Sequence, residues 1–230
     1  MAIDAPVQGQ TLRQPFAVAG WALDLGAVDN GVDLVHVYAY PSSGAPPIFV
    51  GAASTNFARG DVGAYYGAAH VTSGYGLIVH GLSPGNYMLA VFAHSSYADR
   101  FAPAQTINVR IESSALLVLD APSANATVSQ GFLVGGWAAD FGAASGGGID
   151  LVHIYAYPLD TGAAPLFLGQ VAVNVPRPDV AKYFGSQFST TGFNLFAPSL
   201  APGRYRVVAY GRSLVSGAFS AVAYADVSLR

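Results

Sequence analysis

The sequence predicts an all-β chain made of two tandem antiparallel β-sandwiches of about seven strands each. Three observations carry this expectation. First, the 230-residue chain repeats itself: IDAP at Ile3 to Pro6 returns as LDAP at Leu119 to Pro122, and GWALD at Gly20 to Asp24 returns as GWAAD at Gly136 to Asp140. VDLVHVYAYP from Val32 returns as IDLVHIYAYP from Ile149, and LSPGNY from Leu82 as LAPGRY from Leu200, with the offset drifting from 116 to 118 residues. Second, 27 Gly and 14 Pro punctuate short runs of Val, Ile, Tyr and Phe, as the turns of a sandwich require. Third, apolar and polar residues alternate within those runs, while helical periodicity is nearly absent.

The elements follow in order. A short leading strand precedes Pro6, and strands are expected over 16–23, 33–40, 48–54, 74–81, 86–94 and 104–111. The stretch 61–66, like 180–184 in the second copy, suits one helical turn. The same order recurs after Ser113 or Ser114, which gives domains 1–113 and 114–230, each of a size suited to one compact unit. In 33–40 the series Val35, Val37 and Ala39 claims the core, so Leu34, His36, Tyr38 and Tyr40 take the opposite face. Leu151, His153, Tyr155 and Tyr157 repeat it. The strand after LSPGNY starts inward with Tyr87, Leu89 and Val91, which turns Met88, Phe92 and His94 outward; in the second copy Arg206, Val208, Tyr210 and Arg212 take those places. Trp21 and Trp137 follow a Gly in the GWA segment, which leaves their direction open.

The Pro-Gly corner before Tyr87 and Tyr205 resembles that of an immunoglobulin-like or fibronectin type III domain, where the Tyr hydroxyl bonds back to upstream backbone. Taken together, GWALD, the Gly-rich loop, VDLVHVYAYP, RPDV at Arg177 to Val180 and APGRY resemble the bacterial immunoglobulin-like repeats of secreted and surface-exposed proteins. The first copy departs from the pattern at Gly60, where the Pro is missing. The resemblance implies a non-enzymatic, extracellular or cell-surface module that needs no cofactor.

Composition narrows the function. A formal charge of −3 with one Lys and one Glu offers no basic field for nucleic acid, and no apolar run is long enough for membrane insertion. The absence of Cys excludes disulfides and thiolate chemistry. The opening MAIDAP lacks the basic and apolar regions of an export signal, so the expected secretion signal is not contained in this chain. GLSPG at Gly81 to Gly85 matches a hydrolase nucleophile elbow at Ser83, but the matching stretch holds Ala201, and the turn leads into a strand. Arg59, Gly60 and Asp61 spell an integrin-binding tripeptide. The matching Arg177, Pro178 and Asp179 keep only Arg and Asp, which points to a loop brace.

Asp24, Asp29 and Asp33, with Asp140 and Asp150, edge the Gly-rich loops; they are weak calcium ligands, and capping of loop N–H groups is the plainer role. A histidine metal site fails because Arg212 stands where the first copy has His94. What remains is an outward face of His36, Tyr38, Tyr40, Phe92 and His94, matched by His153, Tyr155, Tyr157, Arg206, Tyr210 and Arg212. Such a mixture is enriched at protein contacts. The expectation is a structural or interaction module, by spacing, display, adhesion or self-association; a carbohydrate-binding module stacking Tyr on sugar rings is the alternative.

Overall fold

The computed structural model describes residues 1–230, which fall into two compact units, Met1–Ser113 and Ser114–Arg230. The chain is mostly β. The first unit runs β1 (Ala2–Ala5), β2 (Gln10–Leu12), β3 (Phe16–Trp21), β4 (Val32–Pro41) and β5 (Ile48–Phe57), then α1 (Gly60–Tyr66) and a 3-10 turn (Ala68–His70). It closes with β6 (Gly74–Val79), β7 (Gly85–Ser95), β8 (Arg100–Phe101) and β9 (Gln105–Ile111). The second unit repeats the order as β10 (Ala115–Ala121), β11 (Ala126–Val128), β12 (Leu133–Asp140), β13 (Ile149–Pro158) and β14 (Leu166–Ala172). α2 (Pro178–Phe184), a 3-10 turn (Ser186–Phe188), β15 (Gly192–Phe196), β16 (Gly203–Ser213) and β17 (Phe219–Leu229) complete it.

In the second unit the strands form a three-stranded sheet, β10-β12-β15, and a five-stranded sheet, β11-β17-β16-β13-β14. The first unit has the same order, except that β5 pairs with β4 over Ile48 to Ala53 and then with β6 at Ser54 and Phe57. One strand thus joins both layers into a single sheet, with eight strands along one path and β8 paired to β7 off that path. The expectation of about seven strands is corrected to nine and eight. The additional ones are β2 and β11, three residues each and paired parallel to β9 and β17, together with the two-residue β8. Short segments of this kind carry too few residues for an alternating pattern to show.

Alternation positions the core. Val35, Val37 and Ala39 are fully buried against Val18, Val79, Leu89 and Val91, and the second unit packs Val152, Ile154 and Ala156 in the same way. Trp21 and Trp137 point away from these cores, since Val18 with Gly20, and Val134 with Ala138, face inward on the same strands. α2 covers the outer side of β12, where Trp137, Phe141, Val180 and Phe188 make a second small cluster.

The Gly in GWA has a steric cause. A Cβ at Gly20 would lie 2.1 Å from the Ala2 carbonyl oxygen, and one at Gly136 would lie 2.0 Å from that of Val118. Beside both positions the leading strand carries a register shift, at Ile3/Ala5 and Leu119/Ala121. Only a residue without Cβ admits so close a backbone approach.

Candidate interaction face

The outer face of the larger sheet collects rings from four strands in each unit. His36 and Tyr38 project from β4, Phe92 and His94 from β7, Phe49 from β5 and Phe101 from β8. Phe101 lies between the two imidazoles, with centroids 5.0 Å from both His36 and His94. Phe49 sits 5.1 Å from His36 and from Tyr38, and Phe92 meets Tyr38 edge-on at 5.8 Å. In the second unit His153 is flanked by Phe167 at 5.7 Å and Phe219 at 4.4 Å, while Tyr155 contacts Phe167 and Tyr210. An imidazole held between two phenylalanines is therefore common to both units.

Phe49, Phe101, Phe167 and Phe219 are absent from the set read from sequence, although the offset of 118 relates them in pairs. They change the picture of the face. Tyr38, Tyr40, Tyr155 and Tyr157 are half-buried, whereas Phe49 and Phe167 expose 50% and 52% of their surface. The phenylalanines supply the outermost apolar area and the tyrosines lie among them.

Polar groups on this face are mostly paired. Arg212 clasps Asp150 through its Nε and Nη2 atoms, and in the first unit His94 Nδ1 lies 2.8 Å from Asp33. These contacts hold both carboxyls below the usual carboxylate range. Arg206 donates two bonds to Asp226 while its guanidinium sits 4.3 Å over the ring of Tyr224. The hydroxyls of Tyr157 and Tyr210 share a 2.9 Å hydrogen bond, which together with burial pushes the Tyr210 hydroxyl up to about 12.

The loop aspartates do not converge. Asp24 accepts bonds from the Gly26 N–H and the Ser95 hydroxyl, and Asp140 does the same with Gly142 and Ser213. Asp29 caps the Gly31 N–H. Asp33 and Asp150 serve the cross-strand pairs above and also take backbone N–H groups at the start of their strands, Leu34 and Leu151 among them. No group of three or more His, Asp and Glu is placed together to hold a metal ion.

The two structural motifs are built alike. Tyr87 and Tyr205 donate their hydroxyls to the carbonyls of Ser83 and Ala201 at 2.8 and 2.9 Å. Ser83 thus sits in the corner before a strand, with no helix after it. Arg59 grips Asp61 with two bonds of 2.9 and 2.6 Å and reaches Asp4 on β1 at 2.6 Å. Arg177 grips Asp179 and reaches Asp120 on β10 at 2.7 Å. The tripeptide's Arg and Asp are bound to each other, and the third partner lies in the repeated IDAP and LDAP segments. These guanidinium contacts lower the carboxyls of Asp61 and Asp179 to about 2.

Arg177→Ala is expected to destabilise the second unit by about 2 kcal/mol at pH 7, because the largely covered guanidinium ties α2 to β10. The sign with pH follows from the depressed Asp179 value. The brace is fully present above the ordinary value of 3.8 and is lost as pH falls through about 2. Melting curves of the native chain and the variant should differ at pH 7 and converge in acid; a constant gap would count against the ion pair.

No family model matches the sequence, and no curated protein is similar to it. Among solved structures, the chain aligns over 100% of its length with 93% of the Clostridium thermocellum CbhA fibronectin(III)-like modules, at 13% identity and a TM-score of 0.30. It also aligns over 99% with the chicken CNTN1 FN1–FN3 domains, spanning 65% of that chain at 10% identity and a TM-score of 0.29. Alignment with the teleost fish polymeric Ig receptor ectodomain covers 97% of this chain and 96% of that one, at 9% identity and a TM-score of 0.28. No helix is long and apolar enough to cross a membrane.

Proposed function

We propose that the chain is a non-catalytic interaction module, two tandem immunoglobulin-like sandwiches in a bacterial extracellular or cell-surface protein, working through self-association of its aromatic sheet faces. The observation that carries this reading is the ring cluster present in both units, topped by the half-exposed Phe49, Phe101, Phe167 and Phe219. Rings locked against one another lose little side-chain freedom when they meet a partner. Neighbouring charges are already neutralised within the chain, so the face has few unpaired ions to desolvate on contact. The chemical motifs weigh the same way: Ser83 sits in a tyrosine corner, and the loop carboxylates are occupied singly.

The test replaces two outer rings of the second unit, Phe167 and Tyr224, each more than half exposed, by Ser. The folded domain should survive, because neither ring belongs to the buried core. The native chain should self-associate in sedimentation velocity, and the double variant should sediment as a monomer. Unchanged association in the variant sinks the reading. Retention of the native chain on wall polysaccharide, lost in the variant while sedimentation stays monomeric throughout, replaces it with carbohydrate binding.

A further inference from the structure

Three polar side chains are enclosed in the first unit with nothing in the chain to bond them. Asn30 and His70 are 7% exposed and Ser73 2%, yet Asn30 Oδ1, His70 Nδ1 and Ser73 Oγ are buried without a hydrogen-bond partner. The fold brings these residues together. Just past β3, Ala22 and Asp24 donate their N–H groups to the carbonyls of Ser73 and Asn30, which sets those two side by side along one edge of the chain. His70 closes the 3-10 turn that leads into Ser73.

The second unit shows how close the three positions are. Their counterparts in the repeat are Gly147, Phe188 and Thr191. A Cβ on Gly147 would lie 2.8 Å from Thr191 Cγ2, and the Thr191 hydroxyl donates to the Phe188 carbonyl at 2.9 Å. There the same region is filled by a wholly buried phenyl ring and a methyl group, and its one side-chain hydroxyl is bonded internally. The first unit has exchanged this apolar filling for an amide, an imidazole and a hydroxyl.

We propose that Asn30, His70 and Ser73 form a binding site for a single internal water molecule, present in the first unit and not in the second. Buried polar groups are almost always bonded, to protein or to ordered water, and an internal water makes about three such bonds. The chemistry of the three atoms matches water better than an ion. The Asn30 oxygen only accepts, the Ser73 hydroxyl donates or accepts, and the His70 nitrogen does either according to its tautomer. Water donates two bonds and accepts two, so it serves all three with either tautomer. A cation would need acceptors throughout, and this set carries no negative charge to offset the cost of burying one. The water joins the loop ahead of β4 to the turn behind α1. It supplies bonds there, but not the packing that the Phe188 ring gives the second unit.

A crystal structure of the full native chain tests the site directly. A density peak is expected within hydrogen-bonding distance, about 2.7–3.2 Å, of Asn30 Oδ1, His70 Nδ1 and Ser73 Oγ. Absence of the peak overturns the proposal. A peak at about 2.0–2.2 Å with anomalous scattering overturns it as well, and makes the site one for a metal ion. In solution, oxygen-17 relaxation dispersion of the solvent counts long-lived internal waters. The triple variant Asn30→Gly, His70→Phe and Ser73→Thr, which copies the second unit, is expected to lose the amplitude of one water relative to the native chain. Equal amplitudes in the two folded proteins count against the site; if the variant does not fold, the native crystal structure decides alone.

Discussion

Phe188→Ala is expected to lower the unfolding free energy of the second unit by about 3–5 kcal/mol, the usual cost of emptying a fully enclosed aromatic site. Phe188 has no exposed surface and stacks at 4.9 Å on Phe141, which in turn contacts Phe184 over Trp137. Removing the ring takes the floor from the cluster that fastens α2 to β12. Denaturant unfolding followed through Trp137 should show the midpoint fall; a change below about 1 kcal/mol would mean that the helix settles into the space. The first unit has His70 at this place. Its Nδ1 is buried without a partner, as are Asn30 Oδ1 and Ser73 Oγ, where the second unit has Gly147 and Thr191. Buried polar atoms left unpaired are costly, so this region of the first unit is the weaker of the two.

Gly136→Ala is expected to cost about 3 kcal/mol by overpacking. The added methyl meets the Val118 carbonyl oxygen at 2.0 Å, and both the Val118 carbon and the Leu119 Cα at close to 3 Å, all of them backbone atoms. A side chain can turn aside, but here β10 itself would have to leave β12. Gly147→Ala is the comparison, since its methyl would meet only the Thr191 side chain, at 2.8 Å. Thermal melts should rank Gly136→Ala well below Gly147→Ala. Equal melting temperatures would mean that the leading strand shifts freely and that the GWA glycine is not a close-approach residue.

Much of this architecture is legible in the sequence wherever side chains alternate. Val35, Val37 and Ala39 against His36, Tyr38 and Tyr40 define a buried and an open face without any structure. Trp21 and Trp137 do not, because the glycines beside them give no hydrophobic signal, and the helix that covers Trp137 lies about 40 positions further on. The brace is half legible for a similar reason. Arg59 and Asp61 are two residues apart, but Asp4 is 55 residues away, and only contact in the fold unites them. Phe49 and Phe101 escape because one lies beside a bulge and the other on a two-residue strand, and neither offers a period to follow. Comparison of the two halves recovers them, since both are Phe at the matching positions.

The parallel pairs that are easiest to overlook carry a mechanical consequence. Within each unit the segment following the leading strand is bonded to the last strand: Gln10 to Leu12 against Val109 to Ile111, and Ala126 to Val128 against Val227 to Leu229. Tension drawing the ends of a unit apart pulls these two partners in opposite directions along their length. The bonds are then loaded together in shear, and rupture needs all of them to fail at once. A hairpin pulled from its open end would instead unzip one bond at a time. Each unit therefore places a tension-bearing clasp between its own entry and exit.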